Sequence, residues 1–244
     1  MIHSSKFFAF SLIEYLIDKR TYCIQFSREK SLLLYLCILK YYANMNLPAK
    51  HCGRYVFGLC KGSNEFYQNL CPQAKSFLKQ ISIKGEDGRG VSSAIEVCHK
   101  PVAFQAMRIL LESKKLSVAV IEMVCESGFL KERFLKPKME QNIRKLIGHR
   151  IRVEEYVHAS RKRQYSELVT DIRKNESDMA CYETLIKVYN ELESDEEKAF
   201  ISQTLARLYY NSDCFQDGLN WATMSIVHLP NNYTMFDTRG HVYK

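Results

Sequence analysis

What this 244-residue sequence lacks is the first guide to its function. It has no Gly-x-x-x-x-Gly-Lys-Ser/Thr loop, so the backbone cradle and lysine that hold nucleoside phosphates are missing. It has no Gly-x-Ser-x-Gly elbow, no His-Glu-x-x-His helix and no kinase signature. Its nine cysteines include no Cys-x-x-Cys pair and no zinc spacing, and most sit in apolar runs, as Cys37 does. They read as free buried thiols of a reducing compartment. His51 and Cys52, with Cys60 nearby, come nearest to a metal cluster but lack a second ligand pair. No apolar run approaches the roughly 20 residues that span a bilayer. No secretory signal opens the chain, because Glu14 interrupts Phe7–Ile17 and no small-residue cleavage site follows. These absences lead to the expectation of a non-enzymatic, soluble, cytoplasmic protein with no metal and no cofactor.

What is present is unevenly distributed. Residues 1–129 carry 17 basic and 10 acidic side chains, residues 130–164 carry 11 and 4, and residues 165–244 carry 7 and 13. A basic body therefore meets an acidic tail near Arg163. With 46% hydrophobic and 25% charged residues the chain folds rather than staying disordered.

The periodicity predicts a mainly α fold. Ser11–Arg20 has one apolar face, and a second helix capped by Ser27 runs, apolar nearly all round, to about Met45. Asn46–Pro48 breaks it, Ala49–Cys60 is a weaker helix, and Gly62–Asn64 is a turn. Ala74–Gln80 reads as helix, then Ile81–Lys84 and Val91–Cys98 as strands joined through the glycine-rich Gly85–Gly90. A hairpin turn explains those glycines better than a phosphate loop, since no helix N-terminus follows directly. Val102–Leu111 is a helix with Pro101 at its start. Helix, hairpin, helix is the outline of a winged-helix module. Further helices are expected over Leu116–Cys125, Phe129–Leu135, Ile143–Arg163 (broken near Gly148), Ser166–Arg173, Met179–Leu192 and Glu196–Asn211. The domains are then a helical region at 1–73, a winged-helix-like module at 74–129, a basic helical linker at 130–164 and helical repeats at 165–244.

From Ala199 the spacing is that of a 34-residue tetratricopeptide unit. Leu205, Ala206 and Tyr209 take the leucine, small and aromatic positions of its first helix. Gly218, Ala222 and Ser225 are the small contacts of the second, with the single tryptophan, Trp221, among them, and Pro230 ends the unit. Another unit starts at Tyr233, with Phe236, Gly240 and Tyr243 in the matching places, and only its first helix is present. The expectation is a piece of a longer repeat-bearing protein, with some of Phe236, Val242 and Tyr243 left bare.

Leu205-Ala-Arg-Leu-Tyr-Tyr210, Phe215-Gln-Asp-Gly-Leu-Asn-Trp-Ala222, Pro230-Asn-Asn-Tyr233 and Asp237-Thr-Arg-Gly-His-Val-Tyr-Lys244 together resemble the sterile alpha motif domain-containing protein 9 and 9-like family. The last piece is similar to that family's Asp-Thr-Leu-Gly-x-Val-Tyr/Phe-Lys, with Arg239 in place of leucine. Ser31–Asn46 resembles the apolar helix after the family's nucleotide-binding module. The strand ending at His99, with Pro101 two residues on, resembles its strand–His-Pro–helix element, with Lys100 inserted. The resemblance covers most of residues 30–244, is specific over about the last 45, and does not place residues 1–25. It implies a segment of a large, cytoplasmic, interferon-linked antiviral protein, lying between a signal-transducing ATPase domain and its repeats. Protein partners would bind through the repeats.

Two side-chain groups carry sharper alternatives. His99 is either a structural histidine bonded to backbone or, by analogy with signal-transducing ATPases, a sensor of nucleotide phosphate. In the basic stretch, Arg144, Lys145, Arg150, Arg152, Arg161, Lys162 and Arg163 supply enough charge for several nucleic-acid phosphate contacts. Pairing with the adjacent acidic tail is favoured over nucleic acid or an anionic membrane, and no aromatic residues interleave for base stacking. A stand-alone nucleic-acid-binding module remains the competing function.

Overall fold

A computed structural model describes residues 24–58, 67, 68, 70, 75, 77–84, 91–126, 136–148 and 165–243. The fold is mainly α with one small antiparallel sheet. It divides into two compact units, residues 1–114 and 115–244, so the break falls inside the 74–129 stretch.

Unit 1 is organised around α1 (Ile24–Ala43). Every residue from Leu32 to Leu39 is buried, which no amphipathic surface helix allows, so α1 is covered on all sides. It starts one turn earlier than the sequence predicts, which places Ser27 inside the helix rather than at its cap. Asn44 ends it in the left-handed region (φ 49°), a conformation asparagine tolerates, with its amide on the Lys40 carbonyl at 3.1 Å. Strand β1 (Leu47–Pro48) and α2 (Ala49–Phe57) follow, then β2 (Leu78–Lys84), β3 (Val91–Val97) and α3 (Lys100–Leu111). The sheet order is β1-β3-β2, with Leu47 opposite Ile95 and Lys84 opposite Val91.

The predicted strand pair and the helix after it are therefore present, while two local expectations change. Leu78–Gln80 extends β2 instead of ending a helix, because Leu78 is buried and pairs with Val97. Leu47 and Pro48 form an edge strand instead of a simple break. Pro48 is tolerated there because an edge strand leaves one row of amides outside the ladder. Lys40 and Glu96 join the end of α1 to β3 through a largely buried ion pair at 3.0 Å. Lys100 lies 4.8 Å over the Tyr41 ring, which itself sits 5.0 Å from Phe104 of α3.

Unit 2 contains α4 (Leu116–Ile121), continued by a π-helical turn (Glu122–Glu126), then α5 (Lys136–Gly148) and α6 (Glu167–Asn175). After these come α7 (Asp178–Glu191), α8 (Asp195–Asn211), α9 (Phe215–His228) and α10 (Tyr233–Val242). The segment predicted as one helix over Leu116–Cys125 thus changes to π geometry at Glu122. Four of these helices begin with a side-chain cap. Ser166, Ser177, Ser194 and Asn232 accept from the amides of Val169, Ala180, Glu197 and Thr234. Helix α4 is capped from outside, where Glu176 accepts from the amide of Ser117 at 3.0 Å and from its hydroxyl. The turns at Gly62–Asn64 and Gly85–Gly90 and the helices at Ser11–Arg20 and Phe129–Leu135 lie outside the described residues.

Candidate interaction surface

The closest packing in unit 2 is between α8 and α9. Leu205, Ala206 and Ala222 are fully buried, as is Ser225, whose hydroxyl is satisfied by the Ala222 carbonyl at 2.7 Å. Gly218 is required by contact rather than by conformation. A Cβ there would lie 3.2 Å from the Ala206 carbonyl oxygen, 3.3 Å from the Tyr210 amide and 3.4 Å from Val242 of α10. Two backbones meet at that point, so any side chain must move one of them.

Tyr209 and Trp221 are placed otherwise than expected. Both are half-buried and face α7 rather than the inside of the α8–α9 hairpin. Tyr209 stacks on Tyr182 (centroids 4.1 Å, planes 14° apart), and Trp221 meets Tyr189 edge-on at 5.3 Å. Their role is to join the hairpin to the preceding helix. The spacing that locates them says nothing of that neighbour.

Helix α10 docks on α8 through a buried polar contact. Gln203 donates to the Thr234 carbonyl and to the Thr238 hydroxyl, each at 2.9 Å, and Arg207 reaches the same hydroxyl at 3.0 Å. Met235, Thr238 and Val242 face inward. Of the three residues from which the bare side was expected, Phe236 and Tyr243 supply it, and Val242 closes over Gly218. Tyr233, Phe236, Gly240 and Tyr243 form the opposite, solvent-facing stripe, with Tyr233 81%, Phe236 50% and Tyr243 73% exposed. Gly240, expected as a small contact, meets nothing within 4 Å, so the stripe is notched at its middle. Pro230 is exposed in the turn before α10.

A second polar joint was not foreseen. His228 Nδ1 lies 2.8 Å from Asp195, and its Nε2 lies 2.7 Å from the Tyr189 hydroxyl, tying α7, α8 and α9 together. An Asp–His–hydroxyl chain can activate a nucleophile, but here burial, aided by Asp195, pushes the Tyr189 phenol up. The two contacts hold α7, α8 and α9 together as a clamp. Its three residues come from separate helices and leave no local signature in the sequence.

Of the seven basic candidates for nucleic-acid contact, Arg144 and Lys145 are on α5, and Arg150, Arg152, Arg161, Lys162 and Arg163 lie outside the described residues. Lys145 is exposed. Arg144 is engaged internally: its guanidinium is 3.6 Å from the Phe200 ring centroid, 2.8 Å from Glu196 and 3.8 Å from Glu197. His99 is exposed at the N-cap of α3, and its side chain makes no cap bond to that helix. Its carbonyl, not its ring, receives the Ala103 amide at 2.9 Å. His51 and Cys52 are buried on α2, where burial pushes the Cys52 thiol up, and Cys60 lies outside the described residues. Burial likewise pushes the thiols of Cys37 and Cys181 up to about 12. Among the described residues no group of three potential ligands could hold a metal ion. Among them, too, no helix is long and apolar enough to cross a membrane.

The chain is similar to the human (Homo sapiens) sterile alpha motif domain-containing protein 9, being 25% identical over 227 residues. The match takes in 90% of this chain and 14% of that protein, so the chain spans about a seventh of the relative's length. No family model matches the chain. No solved structure matches it either.

Proposed function

We propose that the chain is a non-catalytic scaffold whose second unit is a tetratricopeptide-type stack that binds protein. The observation that carries this reading is the repeated spacing at a 34-residue offset, with its first copy packed as a close helix pair. Ala206 of α8 meets Gly218 of α9 at backbone distance, and 34 residues on α10 offers Gly240 between Phe236 and Tyr243 on an uncovered face. Stacked helical units present extended surfaces of this kind to protein partners. The similarity to sterile alpha motif domain-containing protein 9 supports a setting in a larger cytoplasmic, interferon-linked antiviral protein. There, unit 1 would relay between an upstream ATPase domain and the repeats. His99, exposed at the start of α3, would be either a structural residue there or a sensor of nucleotide state.

Partner retention by the full-length protein tests the scaffold. Phe236→Ser with Tyr243→Ser alters only exposed side chains and should abolish retention without lowering stability. Unchanged retention would remove the repeat face from the function. Mobility shifts with duplex RNA and DNA at two salt concentrations test the competing reading. Near-absence of binding is expected, whereas steeply salt-dependent binding below millimolar would replace the scaffold with a nucleic-acid module.

A further inference from the structure

The described part of the basic stretch, helix α5, rests against the chain's most acidic turn. Glu191, Glu193, Asp195, Glu196 and Glu197 crowd the junction of α7 and α8. Helix α5 packs on α8 and α6, and its Ile143, Leu146 and Ile147 are all buried. Between these apolar anchors Arg144 covers Phe200 and reaches both Glu196 and Glu197.

Helical spacing puts Glu196, Phe200, Gln203 and Arg207 on one stripe of α8. Helix α10 docks on the C-terminal half of that stripe through Gln203 and Arg207. Helix α5 covers the N-terminal half through Glu196 and Phe200. The two occupants differ in kind. Helix α10 falls in register with the 34-residue spacing, whereas α5 comes from the basic stretch and falls outside it. Its ion pair to Glu196 is also partly solvated, with side-chain exposures of 38% and 58%.

We infer that the N-terminal half of the α8 face is a docking site for a basic amphipathic helix. Helix α5 is its built-in occupant, and a partner helix with the Ile-Arg-x-Leu-Ile order of residues 143–147 displaces it. The complementarity is specific: apolar residues one turn apart enter the face, and a planar cation between them covers an aromatic ring and meets two carboxylates. A tethered helix holds its site at high effective concentration, so the face is closed until the partner is abundant or α5 is weakened. The inference rests on the scaffold reading and names the chemistry of one partner.

The test uses a labelled synthetic peptide with the sequence of residues 136–148 and the complete chain as receptor. Arg144→Glu in the chain should loosen α5, raising apparent peptide affinity about tenfold over the unmodified chain. Glu196→Arg with Glu197→Arg, added to that receptor, should abolish the gain, and on the Arg144→Glu receptor itself an Arg144→Glu peptide should show none. Amide exchange of residues 143–148 should accelerate about tenfold in the Arg144→Glu chain while α9 stays protected. Equal affinity for both chains, or binding to neither, overturns the inference. Loss of α9 protection in Arg144→Glu also overturns it, because α5 would then be a structural member of the unit. Partner retention through Phe236 and Tyr243 is read separately, so the docking inference can fail while the scaffold stands, and the reverse.

Discussion

The two units hold their helices by different means. In unit 1, α2 begins after Pro48 and α3 after His99, and neither start has a side-chain cap. What places them is burial around α1, whose eight consecutive core residues touch neighbours on every side. In unit 2, serine or asparagine caps start α6, α7, α8 and α10, and small residues set how closely the helices approach. Burial is collective and capping is local. Damage to the first should therefore spread through a core, and damage to the second should stay within a helix.

The largest effect should come from the core of unit 1. Leu36→Ala removes a side chain that is 1% exposed and should cost about 2–5 kcal/mol in urea unfolding. Amide exchange should rise over α1, α3 and the sheet while residues 195–211 keep their protection. Equal acceleration in both units would erase the distinction drawn above. Next, Ala206→Leu forces α8 and α9 apart and should cost about 1–3 kcal/mol, with exchange rising in α8, α9 and α10 together. A neutral Ala206→Leu would show that the close approach is not what holds the hairpin.

A smaller loss, about 1 kcal/mol, is expected for Ser177→Ala, with faster exchange confined to the first turn of α7. His99→Ala, at an uncapped start, should stay within about 0.5 kcal/mol, and the contrast between the two isolates capping from position. The smallest effect concerns pH. Arg173, hydrogen-bonded to Asp178 at 2.5 Å, holds that carboxyl below its ordinary range. A lowered folded value means the contribution is present above the unfolded value, near 4, and is lost as pH falls through the folded value. The partly solvated pair makes this component small. Asp178→Asn should remove it from an acid titration of stability, and an unaltered profile would assign no stability to the pair.

The same contrast decides how much of the molecule is legible in the sequence. Ser166 at a helix start and the 34-residue spacing of Ala206, Gly218 and Pro230 are local signals. They mark α6, α7 and α8 to within one or two residues, whereas α5 begins at Lys136, well ahead of the Ile143 expected. The three glycines between residues 85 and 90 announce the strand pair in the same way. The rest depends on what lies across a gap. Two residues, Leu47 and Pro48, are too few to show alternation, and only β3 makes them a strand. Leu78 is apolar in either a helix or a strand, and its pairing with Val97 decides. Trp221 and Tyr209 suit the inside of a hairpin as well as they suit α7. The charge split foretells that basic and acidic stretches meet, but not that Arg144 lies on Phe200. The Gln203–Thr238 and Tyr189–His228–Asp195 contacts join helices far apart in the chain and have no spacing to betray them.

Gly218 touches α8 on one side and Val242 on another, and Val242 is 24 residues further along the chain. A growing polypeptide therefore reaches the ribosomal exit with this junction open. The α8–α9 pair can close as soon as its own residues emerge, yet its third wall arrives only with the end of α10. Until then the glycine marks a gap in the nascent surface that α10 must find before another chain does. Order of synthesis, as much as shape, assigns the gap to its owner.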